Sequence, residues 1–259
     1  VECMRLTILG SSGSLAAPDN PASGYLLEVD NAPGVVLDLG PGTLARLQRF
    51  IDPASVHVLF SHLHADHCLD FPSLMVWRRF HPDAPAVARS LLYAPKPAPV
   101  FFGRLSSDDQ PDGVDDLSDT FAFTPWRAHQ PEIVDRVTVT PYPMVHPVEA
   151  YALRVEEHTT GATLAYSGDT AYNDQLVEAA RDVDLFLCEA NWGTDSGDDV
   201  PGMHMNGAEA GRAARLAGAK HLVIIHVPPW VDKQATVAAA AEEFGGPVEF
   251  GDPGTVYTV

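Results

Sequence analysis

The segment SHLHADHCLD, residues 61–70, places three histidines and an aspartate within six positions, directly behind the apolar run VHVLF. Protonated imidazoles this close together would repel one another, so the cluster is tolerable mainly where another cation replaces the protons. His62, His64, Asp66 and His67 stand where a predicted strand ends and a helix begins, a position from which ligands converge. Their donors suit Zn, Mn or Fe. A metal site is therefore favoured over a proton-switching cluster or a chance polar turn.

Three further residues of ligand type each end an apolar run elsewhere in the chain. His146 follows VTVTPYPMV, Asp169 lies in YSGDT after ATLA, and His226 ends HLVIIH. A lone histidine at a strand end is more often a hydrogen-bonded turn residue, but four strands that all end in ligand-type residues are hard to obtain by chance. One metal takes three or four ligands. The whole set therefore predicts two metals.

The order of strands and helices predicts a layered α/β protein. The predicted strands of the first half are MRLTIL, GYLLEV, GVVLDL and VHVLF, with helices at GTLARLQRF and from Leu69 to Phe80. The second half opens with the strands RVTVTPYPM, EAYALRVEE and ATLAYS and then alternates helices and strands, namely DQLVEAAR, DLFLCEA, GAEAGRAARLAG, HLVIIH and KQATVAAAAEEF. Two halves that each open with several strands and then alternate with helices predict two packed mixed sheets flanked by helices, an αββα arrangement. Residues 1–259 are predicted to form one domain.

The composition changes between about residues 82 and 130, where prolines recur and RLSSDDQPDGVDDLSDT carries six aspartates and no lysine. We interpret residues 82–130 as an Asp/Pro-rich insertion and the aspartate-rich stretch as an exposed loop. A lid over the active site is the alternative.

The charge and cysteine content limit the function classes. A net charge of −19 and a pI of about 4.7 disfavour a nucleic-acid polymer, because such binding depends on Lys and Arg. The chain has no apolar run near the ~20 residues that span a bilayer, and its start lacks the pattern of a signal peptide. Cys3, Cys68 and Cys188 are widely spaced and odd in number, which argues against a disulfide framework. We expect a cytoplasmic protein that does not bind a membrane.

His204 precedes a helix that Asn206 can cap, with Glu209 three positions further on. The N-terminus of a helix presents free N–H groups and the positive end of its dipole, which suits a phosphate group. His204 is therefore a candidate for phosphate chemistry. The alternative is a surface histidine near a helix cap.

Several motifs together resemble one known family. SHLHADH, followed by a strand-end histidine, SGDT and a late IIHVPP, resembles the metallo-β-lactamase-fold hydrolases, and within them the branch of tRNase Z and related phosphodiesterases. The closest similarity is to the actinobacterial cyclic-nucleotide phosphodiesterases of this fold, which are taken to hydrolyse cyclic AMP. It rests on GSSGS, PASGYLLE, SHLHADHCLDFPSLMVWRRFHP, AYSGDT, LCEANW and HVPPW. The resemblance covers nearly the whole chain.

The resemblance implies a role for each matching residue. The first metal would be held by His62, His64 and His146, the second by Asp66, His67 and His226, and Asp169 would bridge both. Two divalent metals would share a hydroxide that attacks phosphorus; Zn suits the donors best, with Mn, Fe, Co or Mg as alternatives. The catalytic residues would be His204, which binds a phosphoryl oxygen or protonates the leaving alkoxide, Glu189, which orients it, and Asp66. A homodimer is implied by the resemblance alone.

Two features near the expected site remain open. GSSGS at residues 10–14 lacks the lysine and helix of a phosphate loop, so a turn at the mouth of the site is favoured. Trp192 and Trp230 either stack on a purine or pack as pocket walls.

The leading hypothesis is a dinuclear metal phosphodiesterase that hydrolyses 3′,5′-cyclic nucleotides such as cyclic AMP to 5′-nucleotides. The alternatives are a tRNase Z-like endoribonuclease and a metal-binding sensor of the same fold without turnover. Only 22 residues separate His146 from Asp169, and 34 separate Asp169 from His204, which leaves no room for the protruding tRNA-binding arm of tRNase Z. A sensor would be expected to have lost a ligand, and all seven are present.

Overall fold

The computed structural model describes residues 3–107 and 112–259. The described part of the chain contains fourteen strands: β1 Met4–Gly10, β2 Gly24–Val29, β3 Val35–Leu39, β4 His57–Leu59, β5 Ser90–Ala94, β6 Phe121–Pro125, β7 Glu132–Val134, β8 Val137–Pro143, β9 Tyr151–Glu157, β10 Thr163–Tyr166, β11 Leu185–Glu189, β12 Leu222–Ile225, β13 Val248–Phe250 and β14 Val256–Thr258. Its helices are α1 Thr43–Leu47, α2 Ala65–Cys68, α3 Phe71–Phe80, α4 Ala98–Leu105, α5 Asp174–Ala179, α6 Gly207–Ala217 and α7 Lys233–Phe244. Two 3₁₀ turns span Pro53–Ser55 and Leu117–Asp119.

The strands form two seven-stranded sheets of mixed direction. The first has the order β14-β1-β2-β3-β4-β5-β6, and the second has the order β13-β12-β11-β10-β9-β8-β7. In the first sheet the pairs from β14 to β3 are antiparallel and those from β3 to β6 are parallel. In the second sheet β7 to β10 pair antiparallel and β10 to β13 pair parallel.

Three apolar clusters separate the four layers. The inner faces of both sheets meet in the first cluster, where residues such as Leu6 and Leu27 share one core with Leu153 and Leu187. The second cluster joins the outer face of the second sheet to α5, α6 and α7, and the third joins the outer face of the first sheet to its helices. This arrangement confirms the predicted αββα fold.

The apolar run of β12 shows why these strands are buried on both faces. Val223 and Ile225 point into the space between the sheets, whereas Leu222 and Ile224 face the helices. Successive side chains of a strand point to opposite faces, so a parallel strand covered on both sides needs a continuous apolar run. LVII meets this requirement, and the run ends at His226.

Residues 82–130, the predicted Asp/Pro-rich insertion, supply two strands and a helix of the fold. Strands β5 and β6 extend the first sheet, and Leu92, Phe102 and Phe121 are fully buried. Several of its prolines stand at the ends of elements, where proline is tolerated. Pro99 lies in the first turn of α4 and Pro125 ends β6.

The described part of the aspartate-rich stretch packs against α3. Arg79 of α3 forms ion pairs with Asp115 at 2.5 Å and Asp119 at 2.8 Å, and Leu117 between them is buried. Residues 108–111, also part of the predicted exposed loop, lie outside the described residues. The lid stays a prediction.

The topology brings the ends of several strands to one edge of the sandwich. Strands β10, β11 and β12 are parallel, so their carboxyl ends lie at the same edge. Glu189 ends β11, whereas Asp169 and His226 come shortly after β10 and β12. Strand β8 pairs antiparallel with β9, and β9 with β10, so β8 also points this way and delivers His146 to that edge. In the first sheet, parallel β3 and β4 end close together.

Within the described residues, no helix is long and apolar enough to cross a membrane. The thiols of Cys3, Cys68 and Cys188 are all free, as predicted.

Candidate metal centre

The seven predicted ligands lie together in two groups. The first group contains His62, His64, His146 and Asp169, and its ligand atoms lie within 4.8 Å of one another. His64 Nδ1 is 2.9 Å from His146 Nε2, and His62 Nε2 is 3.5 Å from Asp169 Oδ2. Nitrogen and oxygen atoms of three segments thus face one small space, as the ligands of one metal ion do.

The second group contains Asp66, His67, His226 and the same Asp169. His67 Nε2 lies 3.2 Å from His226 Nε2, and His226 Nε2 lies 3.0 Å from Asp66 Oδ2. Asp169 has one carboxylate oxygen 3.5 Å from His62 and the other 3.1 Å from His67. Asp169 is thus the one ligand-type residue that both groups share, which is the geometry of a bridging carboxylate.

Unpartnered buried atoms fit a bound cation. His62 Nε2 and Asp169 Oδ1 are buried and have no hydrogen-bond partner in the described part of the chain. Asp169 Oδ1 is near His67 Nε2 but lacks the alignment of a hydrogen bond. Buried polar atoms are rarely left unpaired, and a metal ion would satisfy both.

Asp38, which the sequence analysis missed, holds the ligand-rich segment of residues 61–67 in place. Its Oδ2 accepts hydrogen bonds from Ser61 Oγ at 2.6 Å, His67 Nδ1 at 2.7 Å and the Tyr166 hydroxyl at 2.6 Å. Its Oδ1 accepts from the Ser61 backbone N–H at 2.7 Å. The one signal in the sequence is a carboxylate inside the apolar run VVLDL, where a fully buried charge needs partners.

These hydrogen bonds set which nitrogen of each imidazole faces the site. Because Ser61 Oγ donates to Asp38, it accepts from His62 Nδ1 at 3.0 Å. His67 Nδ1 donates to Asp38, and His146 Nδ1 donates to the Met203 carbonyl at 2.8 Å. In each ring the proton is on Nδ1, so Nε2 presents a lone pair to the centre, as a metal requires.

Two residues of the site adopt a strained backbone. Asp38 has a φ of 58° and His226 a φ of 54°, in the left-handed region that residues with a side chain rarely enter. Asp38 is the second-last residue of β3 and His226 directly follows β12, and both direct their side chains at the cluster. Such strain is common where a fold holds a functional group in one orientation.

Burial and the neighbouring carboxylates shift the pKa values of the clustered histidines in opposite directions. Burial lowers the pKa of His62 well below its usual 6.5, and burial likewise lowers the pKa values of His64 and His146. Burial acts in the same direction on His67, but the carboxylates of Asp169 and Asp66 outweigh it and raise the pKa of His67 well above 6.5. The carboxylates therefore favour one positive charge at the centre, which a metal can supply instead of a proton.

His204 lies beside this centre and is bonded to Glu189, as predicted. Its Nδ1 is 2.8 Å from Glu189 Oε1 and 4.0 Å from Asp169 Oδ2. Burial opposes the charge on His204, but the Glu189 carboxylate outweighs it and raises the pKa of His204 to about 9. No described residue forms a hydrogen bond with His204 Nε2, so this atom can face a ligand.

Glu189 is itself held rigidly. It is fully buried and accepts hydrogen bonds from the backbone N–H groups of Thr170, Asn191 and Met205. Asn206 and Glu209 form the predicted capping box at the start of α6, two residues after His204. The segment that carries His204 is thus fixed from both sides.

A comparison with protein families decides the family. The model of the β-lactamase superfamily domain matches residues 34–227, a range that contains Asp38 and all seven predicted ligands. The chain belongs to the β-lactamase superfamily. An uncharacterized protein of Mycobacterium tuberculosis is 48% identical over 250 residues, covering 96% of this chain and 89% of the relative.

Two other similar proteins agree with this assignment. The crystal structure of the metallo-β-lactamase fold protein YhfI from Bacillus subtilis has a TM-score of 0.86 and 24% identity, and covers 99% of this chain and 100% of that one. A ribonuclease Z of Haloarcula marismortui is 24% identical over 307 residues, covering 97% of this chain and 95% of the relative. This superfamily member is a metal-dependent hydrolase of the metallo-β-lactamase fold.

Proposed function

We propose that this superfamily member is a phosphodiesterase that hydrolyses 3′,5′-cyclic nucleotides, with cyclic AMP as the first candidate, to 5′-nucleotides. The observation that carries the proposal is the placement of His204. Its ring is held by a buried carboxylate and stands 4.0 Å from the aspartate shared by both ligand groups. A cationic donor beside a two-cation site suits a substrate whose reacting centre is an anionic phosphodiester.

The seven-residue cluster would hold two divalent cations, one in each ligand group. When bound, they would supply positive charge at phosphorus and a nucleophilic water at neutral pH. The donor set suits Zn best, and Mn, Fe, Co or Mg are alternatives. Asp66 would act as a metal ligand. Its Oδ2 lies 3.0 Å from His226 Nε2, so it would also orient His226.

His204 would serve the leaving group. With its Nδ1–H donating to Glu189, a protonated His204 carries a second proton on Nε2. That proton can be donated to a phosphoryl oxygen or to the departing 3′ oxygen, as in general acid catalysis. Glu189 acts through His204, because its other partners are backbone N–H groups.

The net charge of −19 supports a small anionic ester over an RNA. Polymer binding requires many Lys and Arg contacts to phosphates, whereas one phosphate can be held by the local positive charge of two metals. The alternative activity, tRNA processing, draws support from the ribonuclease Z relative. However, that alignment spans 307 positions against 259 residues in this chain, so the ribonuclease carries segments that this chain lacks.

The deciding experiment combines metal analysis of the purified protein with a product assay on a panel of cyclic nucleotides and a pre-tRNA. We expect two metals per chain and 5′-nucleotide products. Cleavage of the pre-tRNA with all cyclic nucleotides left intact would refute the proposal. Metal binding without any turnover would favour the alternative of a metal-binding sensor.

A second experiment tests the role of His204. We expect His204→Ala to lower kcat by about 10²–10³-fold, the range for a lost acid or oxyanion donor, with metal content unchanged. His158→Ala is the matched control, since among the described residues the imidazole of this exposed histidine hydrogen-bonds only Thr138. Full activity of His204→Ala would remove His204 from the mechanism.

The homodimer that the resemblance implies stays a prediction, and sedimentation of the purified protein tests it.

A further inference from the structure

A cavity of about 490 Å³ opens beside the candidate metal centre. Its lining includes Trp192, Trp230, Thr194, Asp195 and His204, so one of its walls is the proposed leaving-group donor. The His204 ring lies 5.4 Å from the rings of His146 and His226, which places the cavity next to both ligand groups. A ligand in this cavity can therefore extend from His204 toward both ligand groups.

Trp230 is an unusual residue for a protein surface. Its side chain is 68% exposed, and among the described residues it has no hydrogen bond and no ring contact. It follows His226 by four positions, on the turn that leaves the end of β12. A large indole left uncovered beside an anion-binding centre is suited to receive a flat apolar group from a ligand.

Trp192, which also lines the cavity, is already in contact with the protein. Its indole meets the His204 ring edge-on, with centroids 5.2 Å apart and an interplanar angle of 83°. Gly197 lies against it so closely that a Cβ there would come within 2.4 Å of the indole. Trp192 therefore supports His204, and Trp230 is the wall left for a ligand.

The cavity lining carries groups of opposite charge preference. His204, with the cations that the ligand groups would hold, would attract a phosphate. Asp195 is exposed on the lining, and its carboxylate repels a phosphate but accepts hydrogen bonds from N–H groups. A nucleotide with its phosphate at the ligand groups and its base against Trp230 and this carboxylate satisfies both preferences.

We propose that this cavity is the nucleobase subsite and that Trp230 is the surface on which the base stacks. The inference rests on the proposed cyclic-nucleotide activity and adds the residue that binds the base. Base stacking on an aromatic ring tolerates any base and contributes to binding, not to bond cleavage. Loss of Trp230 should therefore raise KM far more than it lowers kcat.

The test compares cyclic AMP with the methyl glycoside of ribose 3′,5′-cyclic phosphate, which keeps the diester and lacks the base. We expect Trp230→Ala to lower kcat/KM for cyclic AMP about 5- to 150-fold, mainly through KM, and to leave the base-free substrate unchanged. Trp230→Phe should restore most of the loss. Phe80→Ala is the matched control, because Phe80 is 71% exposed and lines a different cavity.

The outcomes separate this inference from the proposed function. Wild-type protein that hydrolyses bis(p-nitrophenyl) phosphate but no cyclic nucleotide overturns the proposed function. Wild-type protein that hydrolyses cyclic AMP, with unchanged kcat/KM in Trp230→Ala, overturns the stacking role alone. An equal loss on both substrates, or a fall confined to kcat, also overturns it. Circular dichroism spectra and metal content of each variant establish that the site is intact.

Discussion

Replacing Asp38 by asparagine tests whether the buried hydrogen bonds behind the cluster prepare it for metal. The change keeps the size of the side chain and removes its charge. One of the two amide positions must then be an NH₂ group. Placed at Oδ2, it faces the N–H of His67 at 2.7 Å, and placed at Oδ1 it faces the backbone N–H of Ser61 at 2.7 Å.

Either orientation of the amide leaves donors facing each other in a site with no exposure to water. The hydroxyls of Ser61 and Tyr166 can rotate to adapt, but His67 can adapt only by moving its proton to Nε2, the atom that should bind metal. Loss of such an orienting partner typically weakens metal affinity about 10- to 100-fold, or about 1.4–2.7 kcal/mol. One unpaired buried donor lowers the free energy of unfolding by about 1–3 kcal/mol.

Two assays measure these effects. Zinc titration in the presence of a chromogenic chelator gives the affinity of each metal, and we expect the weaker binding to be confined to the group of His67. Thermal unfolding in chelator should show a Tm lower by about 2–12 °C. Tyr166→Phe is the matched control, since it removes one donor to Asp38 at about 1 kcal/mol and leaves the His67 proton in place. Two metals bound to Asp38→Asn with wild-type affinity would refute the reasoning.

Three other changes test the local packing and the charges of the site. Gly40→Ala should empty the metal centre, measured by metal analysis, because the new Cβ would lie 1.9 Å from the Asp66 carbonyl and displace α2. Asn206→Ala should lower the free energy of unfolding by about 1 kcal/mol in a denaturant titration, because the capping box is lost. The metal-free protein should be most stable near pH 6.5, measured as Tm in chelator. Below this pH, His62 gains a proton in the unfolded chain but stays neutral in the folded protein, so the folded state loses stability. As pH rises through about 9, the folded protein loses the stabilising proton on His204.

Each of these expectations has a contradicting result. Normal metal content in Gly40→Ala would mean that α2 adjusts freely to the added methyl group. An unchanged denaturation midpoint in Asn206→Ala would mean that the cap does not stabilise α6. A metal-free Tm that is flat or rising from pH 6.5 to 5 would mean that the depressed pKa values of the buried histidines do not limit stability.

The segment of residues 82–130 shows where local patterns stop being informative. The runs at β5 and β6 are short, and prolines stand between them, so the composition of the surrounding loops dominated the prediction. Strand β5 pairs with β4, β6 pairs with β5, and both strands pack under α3 and α4 through residues that are distant in the chain. By contrast, α7 was predicted with the bounds observed, because its alanine-rich run is preceded by Asp232, whose side chain caps it.

The sequence by itself determined which residues are the ligand candidates, because donor type and position at strand ends can be read along the chain. It also determined the layer order and the cap at Asn206. Only the tertiary structure decided how the donors divide, with Asp169 shared between two groups, and that Asp38 stands behind His67. Only the tertiary structure uncovered Trp230 beside His204. The physical reason is that patterns report one segment at a time, whereas tautomers, shared ligands and cavities arise where segments far apart in the chain meet.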